Sequence, residues 1–84
     1  MSPRARKLVK SVHSAEHGDF CASMIAARKR AGLTQEMLAS RLKRPQSFVA
    51  KYEGGERRLD VIEFLTIVKA IGADPLRLIK KLVG

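Results

Sequence analysis

The sequence predicts an all-α domain of five short helices, on three observations. Apolar residues recur at helical spacing from residue 19 onward, and no segment alternates apolar and polar residues as a strand does. Capping residues open the expected helices, and glycines close most of them. The chain has 84 residues, a length that suits one domain and leaves no room for a second. We therefore expect a single small core built by helix packing.

The first predicted helix begins near Asp19, a suitable N-cap, and ends at Gly32. Cys21, Met24 and Ile25 follow one apolar face at helical spacing. Because Cys21 is the only cysteine, it cannot form an intrachain disulfide, and we expect it to be a small buried core residue.

The segment from Leu33 to Glu53 predicts two short amphipathic helices joined by a tight turn. Thr34 is a good N-cap for the first of them. Pro45 cannot continue that helix but suits the first turn of the second, and Gly54-Gly55 is a strong helix stop. Two helices joined in this way form a helix-turn-helix, whose second helix can lie in a DNA major groove.

Two further helices are predicted near the C-terminus. Asp60 and Glu63 have the spacing of a capping box, and Gly72 ends the helix that they open. Asp74-Pro75 is a compact start for the last helix. The expected buried face of the fourth helix carries Val61, Leu65 and Val68, with Ile62, Phe64 and Ile71 on its flanks.

The charge balance favours a polyanionic partner. Seventeen Lys and Arg against eight Asp and Glu give a net charge of +9, which suits nucleic acid or an acidic membrane surface. No apolar run approaches the ~18 residues of a membrane span, and no signal peptide is evident, so we expect a cytoplasmic protein without a membrane partner. His13 and His17 are a weak metal signal. We expect no cofactor and no enzyme, because no acid–base pair or nucleophile with a partner occurs at useful spacing.

Residues 1–18 differ in composition from residues 19–84, which form the expected DNA-binding domain. Basic residues are concentrated in this tail, at Arg4, Arg6, Lys7 and Lys10. Three interpretations stay open: a disordered tail, an extra helix that packs on the domain or on a partner, and an arm that contacts DNA.

A longer constellation of residues extends from Ile25 to Leu82. Its members are Arg28, Gly32-Leu33-Thr34-Gln35-Glu36, Leu38-Ala39, Leu42, Gln46-Ser47, Val49, Tyr52-Glu53, Gly55-Glu56-Arg57 and Ala70-Ile71-Gly72. This constellation resembles the XRE-type helix-turn-helix family, the DNA-binding domain of phage repressors and Cro. The resemblance implies a compact, repressor-like five-helix domain with the helix-turn-helix as helices 2 and 3.

The resemblance also implies site residues. It places the 46–53 helix in the major groove, and Arg28 and Glu53 in a structural salt bridge. The candidates for reading bases are Gln46, Ser47, Ala50 and Lys51. The candidates for phosphate binding are Gln35, Lys43, Arg44, Arg57 and Arg58.

The turn departs from the family pattern at two positions. Lys43 replaces a usual glycine, so either a lysine adopts a left-handed backbone at a cost of about 1 kcal/mol, or the turn differs. Arg44 replaces a usual apolar residue, and its stem can cover apolar surface while its guanidinium reaches a phosphate. Both changes add positive charge beside the expected groove.

The family binds palindromic DNA as a twofold dimer, which implies a homodimer and repression by promoter occlusion. The expected interface is the last helix, at Leu76, Ile79, Leu82 and Val83. Two alternatives use the same domain: an antitoxin whose N-terminal tail binds a protein partner, and a restriction–modification controller. A cationic membrane binder is a third, which the compact capped pattern disfavours.

Overall fold

The structure, a computed structural model, describes residues 14–84 and contains five α-helices and no strand within them. The helices are α1 (Ala15–Arg30), α2 (Gln35–Leu42), α3 (Gln46–Glu53), α4 (Val61–Ile71) and α5 (Pro75–Val83). The predicted all-α architecture is confirmed, and the helix-turn-helix lies in α2 and α3.

The N-cap of helix α1 lies five residues earlier than the sequence predicted. It is Ser14, whose hydroxyl accepts a hydrogen bond from the His17 amide at 3.1 Å. The prediction of Asp19 was wrong because the apolar stripe begins only at Cys21, so periodicity does not reveal the earlier turn. Residues 15–18 of the expected tail therefore belong to α1. Residues 1–13, His13 among them, lie outside the described residues, and for them the three interpretations of the tail stay predictions.

The core lies between the helix-turn-helix and the helices that pack against it. Helix α2 packs against α3 and α4, α1 packs against α3 and α5, and α4 packs against α5. Ala39 is buried in α2, where a small side chain allows close approach of the neighbouring helix. The largest fully buried side chains are Tyr52, Met24, Leu38, Ile67, Val49 and Val68.

Helix α4 buries Val68 as predicted, but its buried face is rotated away from Val61 and toward Ile67. Val61 and Ile62 are 70% and 71% exposed, and the buried residues are Phe64, Ile67, Val68 and Ile71. The helix is apolar on nearly every side, so two stripes at helical spacing were available and the sequence alone did not choose between them. The observed rotation of α4 about its axis leaves the branched side chains of Val61 and Ile62 in solvent at the start of the helix.

Local capping follows the prediction at both ends of α4 and at the start of α5. Asp60 and Glu63 form the capping box, and Gly72 adopts a left-handed backbone that ends the helix. The Asp74 carboxylate accepts from the Leu76 amide at 3.0 Å, next to Pro75 in the first turn. These caps fix the direction of the last two helices.

The turn of the helix-turn-helix has a left-handed residue at Lys43, with φ 57° and ψ 42°. The Arg44 amide donates to the Ala39 carbonyl at 3.0 Å and closes the end of α2. Pro45 is the N-cap of α3, one position before the predicted first turn. Of the two possibilities left open by the sequence, the strained lysine is the one observed.

Candidate nucleic-acid interface

Helix α3 presents one face to solvent and the other to the core. Gln46, Ser47 and Lys51 are exposed, and Ala50 is half-buried between them. The four predicted base-reading residues therefore share a surface. The opposite face is buried and consists of Phe48, Val49, Tyr52 and Glu53.

A buried ion pair joins α1 to the end of α3. Arg28 donates to both carboxylate oxygens of Glu53, from Nε to Oε2 at 2.7 Å and from Nη2 to Oε1 at 3.0 Å. The side chains are only 9% and 3% exposed, and Arg28 Nη1 also donates to the Leu33 carbonyl at 2.8 Å. The hydrogen bond from Arg28 to Glu53 raises the pKa of the guanidinium. This geometry ties α1, the entry to α2 and the end of α3 together.

The same carboxylate holds a chain of amides that leads to the exposed face of α3. Gln35 Nε2 donates to Glu53 Oε1 at 2.9 Å, and Gln46 Nε2 donates to Gln35 Oε1 at 3.2 Å. A carboxylate only accepts, so the nitrogen of Gln35 must face Glu53 and its oxygen must face Gln46. The buried ion pair thereby determines which way the Gln46 amide points.

The sequence did not reveal this link between the two glutamines. The sequence analysis gave the two residues separate roles, with Gln35 binding a phosphate and Gln46 reading a base. In the structure each is the first residue of its helix. The packing of α2 against α3 brings these two helix starts within hydrogen-bond distance. The sequence signal that could have suggested this contact is that both glutamines lie at the start of a predicted helix.

A cluster of charge surrounds Phe48 at the other edge of α3. The guanidinium carbons of Arg44 and Arg57 lie 4.4 and 4.9 Å from the centre of the Phe48 ring, within cation–π range. Arg57 also forms two hydrogen bonds to the Glu63 carboxylate, at 3.1 and 2.9 Å, and Arg44 Nη2 lies 3.7 Å from it. The hydrogen bond from Arg57 lowers the pKa of Glu63 and raises that of Arg57.

Glu63 was identified from the sequence only as a capping residue, and Phe48 not at all. Their contact with two phosphate candidates depends on how the loop after α3 folds back, which no spacing rule predicts. The remaining phosphate candidates, Lys43 and Arg58, are exposed before and after α3. Positive side chains therefore flank α3 on both sides.

Other chemistry-bearing groups are part of the core. Cys21 is buried, as expected, and its thiol donates to the Tyr52 carbonyl at 3.2 Å. Burial raises the pKa of this thiol, which keeps it neutral.

Within residues 14–84, no three His, Cys, Asp or Glu side chains are grouped to hold a metal ion. None of the helices in that range is long and apolar enough to cross a membrane.

A helix-turn-helix whose second helix has an exposed face flanked by cations is typical of one class of protein, the helix-turn-helix DNA-binding domains. Comparison with known proteins agrees: a family model described as a helix-turn-helix domain matches residues 26–78. An XRE-family-like protein from Pseudomonas syringae pv. tomato is 51% identical with a TM-score of 0.78, over 84% of this chain and 87% of that one. The chain belongs to the XRE-type helix-turn-helix family.

Two restriction–modification controller proteins have similar folds. C.AhdI from Aeromonas hydrophila is 28% identical with a TM-score of 0.70, over 77% of this chain and 98% of that one. A point mutant of the controller C.Esp1396I is 21% identical with a TM-score of 0.75, over 83% of this chain and 89% of that one. No curated protein matches the chain. Family membership and the fold make the protein a DNA-binding transcription regulator.

Proposed function

We propose that the protein is a sequence-specific repressor that binds a palindromic operator in double-stranded DNA as a homodimer. The observation that carries this proposal is the fixed amide of Gln46 at the exposed start of α3. With one N–H donated to Gln35, Gln46 keeps its oxygen and its second N–H for a ligand. Adenine offers the complementary pair in the major groove, the N6 donor and the N7 acceptor.

The other exposed residues of α3 extend this readout. Ser47 can hydrogen-bond a base or a phosphate, and Ala50 can contact a thymine methyl. Lys51, one turn beyond Ser47, suits a guanine edge or a phosphate. Base contacts of this kind supply preference among sequences, whereas contacts to phosphates supply most of the salt-dependent affinity.

Phosphate contacts are proposed for residues on both sides of α3. Lys43 and Arg44 lie before the helix, and Arg57 and Arg58 follow it. Gln35 opens α2, where free backbone N–H groups also favour an anion. Its side-chain amide is already engaged at both ends, so we expect its backbone N–H rather than its side chain to contact the phosphate.

The homodimer is proposed from exposed apolar surface on α5. Leu76 and Val83 are 75% and 81% exposed, and Ile79 and Leu82 are exposed to a smaller extent. Between α4 and α5 lies an apolar groove of about 220 Å³, lined in part by Val61 and Leu65 together with Ile79 and Leu82. A second copy would cover this surface and place two α3 helices on one face of the DNA.

The base-reading claim is tested on two duplexes: the selected site, which is the sequence that the wild-type chain enriches from random duplexes, and a scrambled version of it. Two variants are compared on both. Gln46→Ala should weaken binding to the selected site by about 1–3 kcal/mol and leave binding to the scrambled duplex nearly unchanged. Arg44→Ala should weaken both and flatten the dependence of affinity on salt. Equal loss on both duplexes for Gln46→Ala would contradict the assigned role.

The dimer claim is tested by sedimentation equilibrium. Ile79→Lys places a charge in the expected interface and should give a monomer, because interface cores exclude charged residues. Ala26→Lys is the matched control, since it adds the same charge at an exposed position of α1. A wild-type monomer at high concentration, or a dimer of the Ile79→Lys variant, would remove this interface from the proposal.

Restriction–modification control is the second candidate function. It is favoured by the likeness to two controller proteins. The match to one of them, C.AhdI, spans 98% of the length of that protein. Such a regulator would bind DNA through the same residues and can activate as well as repress. Reporter assays on the selected site, placed upstream of a promoter and across it, separate activation from repression. The proposal involves no enzymatic activity and no cofactor, and places the protein in the cytoplasm.

A further inference from the structure

The Glu63 carboxylate is the meeting point of two arginines beside the proposed DNA surface. It accepts two hydrogen bonds from Arg57, and Arg44 Nη2 lies 3.7 Å from one of its oxygens. It also accepts from the Asp60 amide at 3.0 Å, as part of the capping box. The capping box at the start of α4 thus fixes the position of one negative charge among cations that are proposed to bind phosphates.

The two arginines are held with unequal strength. Arg57 forms two charge-assisted hydrogen bonds to Glu63 and donates a third to the Arg58 carbonyl at 3.0 Å. Arg44 approaches Glu63 only beyond hydrogen-bond distance, and its side chain is 47% exposed against 38% for Arg57. Both guanidinium groups also lie over the Phe48 ring, within cation–π range.

We propose that Glu63 competes with DNA phosphates for Arg57 and, more weakly, for Arg44, and so limits the sequence-independent part of the DNA affinity. This inference rests on the proposed DNA binding. A phosphate that takes Arg57 must replace two charge-assisted hydrogen bonds. It also leaves the carboxylate beside another anion with only the Asp60 amide and the more distant Arg44 as partners. A paired Arg57 therefore adds little net positive charge to the surface that faces DNA.

The proposal makes Glu63 a residue that tunes affinity without touching a base. Non-specific binding is almost entirely electrostatic, so its strength follows the number of cations that are available to phosphates. With Glu63 ionised, Arg44 is the more readily available of the two arginines. With Glu63 neutralised, Arg57 becomes available too, and the apparent number of phosphate contacts rises by about one.

The test is the salt dependence of binding to a random-sequence duplex by the full chain and by Glu63→Gln. Glutamine is also accepted at this position of a capping box, so the helix start is retained. One more phosphate contact steepens the slope of log K against log salt by about 0.9, and the variant's advantage then grows about 3.5-fold between about 200 and about 50 mM salt. Asp19→Asn is the matched control, because it removes one negative charge from an exposed position on α1.

A second arm identifies the arginine. In an Arg57→Gln background, Glu63→Gln should lose most of its effect on the slope, leaving only the part due to Arg44. An unchanged slope for Glu63→Gln, a gain no larger than that of Asp19→Asn, or a gain that persists with Arg57 and Arg44 both replaced by Gln would overturn the inference. Absence of duplex binding by the wild-type chain would instead refute the proposed function itself.

Discussion

Loss of Arg28 should destabilise the domain severely, and loss of the whole ion pair should not. In Arg28→Met, the Glu53 carboxylate, only 3% exposed, keeps a single donor from Gln35. The Leu33 carbonyl loses its donor as well. Removing one partner of a buried pair costs about 3–5 kcal/mol, a large part of the roughly 4–13 kcal/mol expected for a domain of this size.

The double variant Arg28→Met with Glu53→Leu separates the two effects of this pair. Replacing both charges by apolar side chains of similar volume is often neutral, so we expect most of the stability to return. Without the carboxylate, however, Gln35 has no anchor and Gln46 loses its fixed orientation. We therefore expect the double variant to have a stability in urea close to that of the wild type, but a weaker preference for the selected DNA site over the scrambled duplex.

Urea unfolding followed by circular dichroism measures the stability of all three proteins, and titration with the selected and scrambled duplexes measures site preference. A loss under about 1 kcal/mol for Arg28→Met, or a double variant as unstable as the single one, would contradict the assignment of this pair as a buried charge pair. A double variant with wild-type site preference would contradict the orienting role of Gln35.

Single residues provide three further predictions. Lys43→Gly should relieve the left-handed strain and raise stability in urea by up to about 1 kcal/mol, while lowering the salt slope by about 0.9 if Lys43 binds a phosphate. Leu38→Ala, at a fully buried site, should cost about 2–5 kcal/mol in the same assay, whereas Met37→Ala at the exposed neighbour should cost far less. The pKa of Glu63 is held below its ordinary 4.5 by Arg57, so its contribution to stability is complete above that value and is lost as the pH falls through the lower folded pKa. The stability difference between wild type and Glu63→Gln, small because the pair is solvent-screened, should be constant at neutral pH and shrink only in acid below 4.5.

Helix boundaries were predictable where a local cap sets them. Thr34, Asp60 and Asp74 accept hydrogen bonds from amides two or three residues along the chain, so the sequence contains the whole interaction. Ser14 is an equally good cap, but no apolar stripe follows it closely, and the start of α1 was predicted too late. The buried face of α4 was mistaken at Val61 because tertiary packing, rather than periodicity, chooses among several apolar stripes.

The candidate site was predictable as a set of exposed residues but not as a network. Helical phase and the family resemblance placed Gln46 and Lys51 on the outer face of α3. Gln35, at the start of α2, bridges Glu53 at the end of α3 and Gln46 at the start of α3. This network therefore depends on how α2 packs against α3. The pairing of Arg57 with Glu63 needs the loop after α3 to fold back, and neither event leaves a pattern in the sequence.

Selection of binding sites from random duplexes by the wild-type chain tests the central claim most directly. We expect enrichment of one palindromic sequence with two half-sites about 10 base pairs apart, and with adenine at the position read by Gln46. Repeating the selection with Gln46→Ala should relax that position alone. Failure to enrich any sequence, or an unchanged consensus for the variant, would contradict the account.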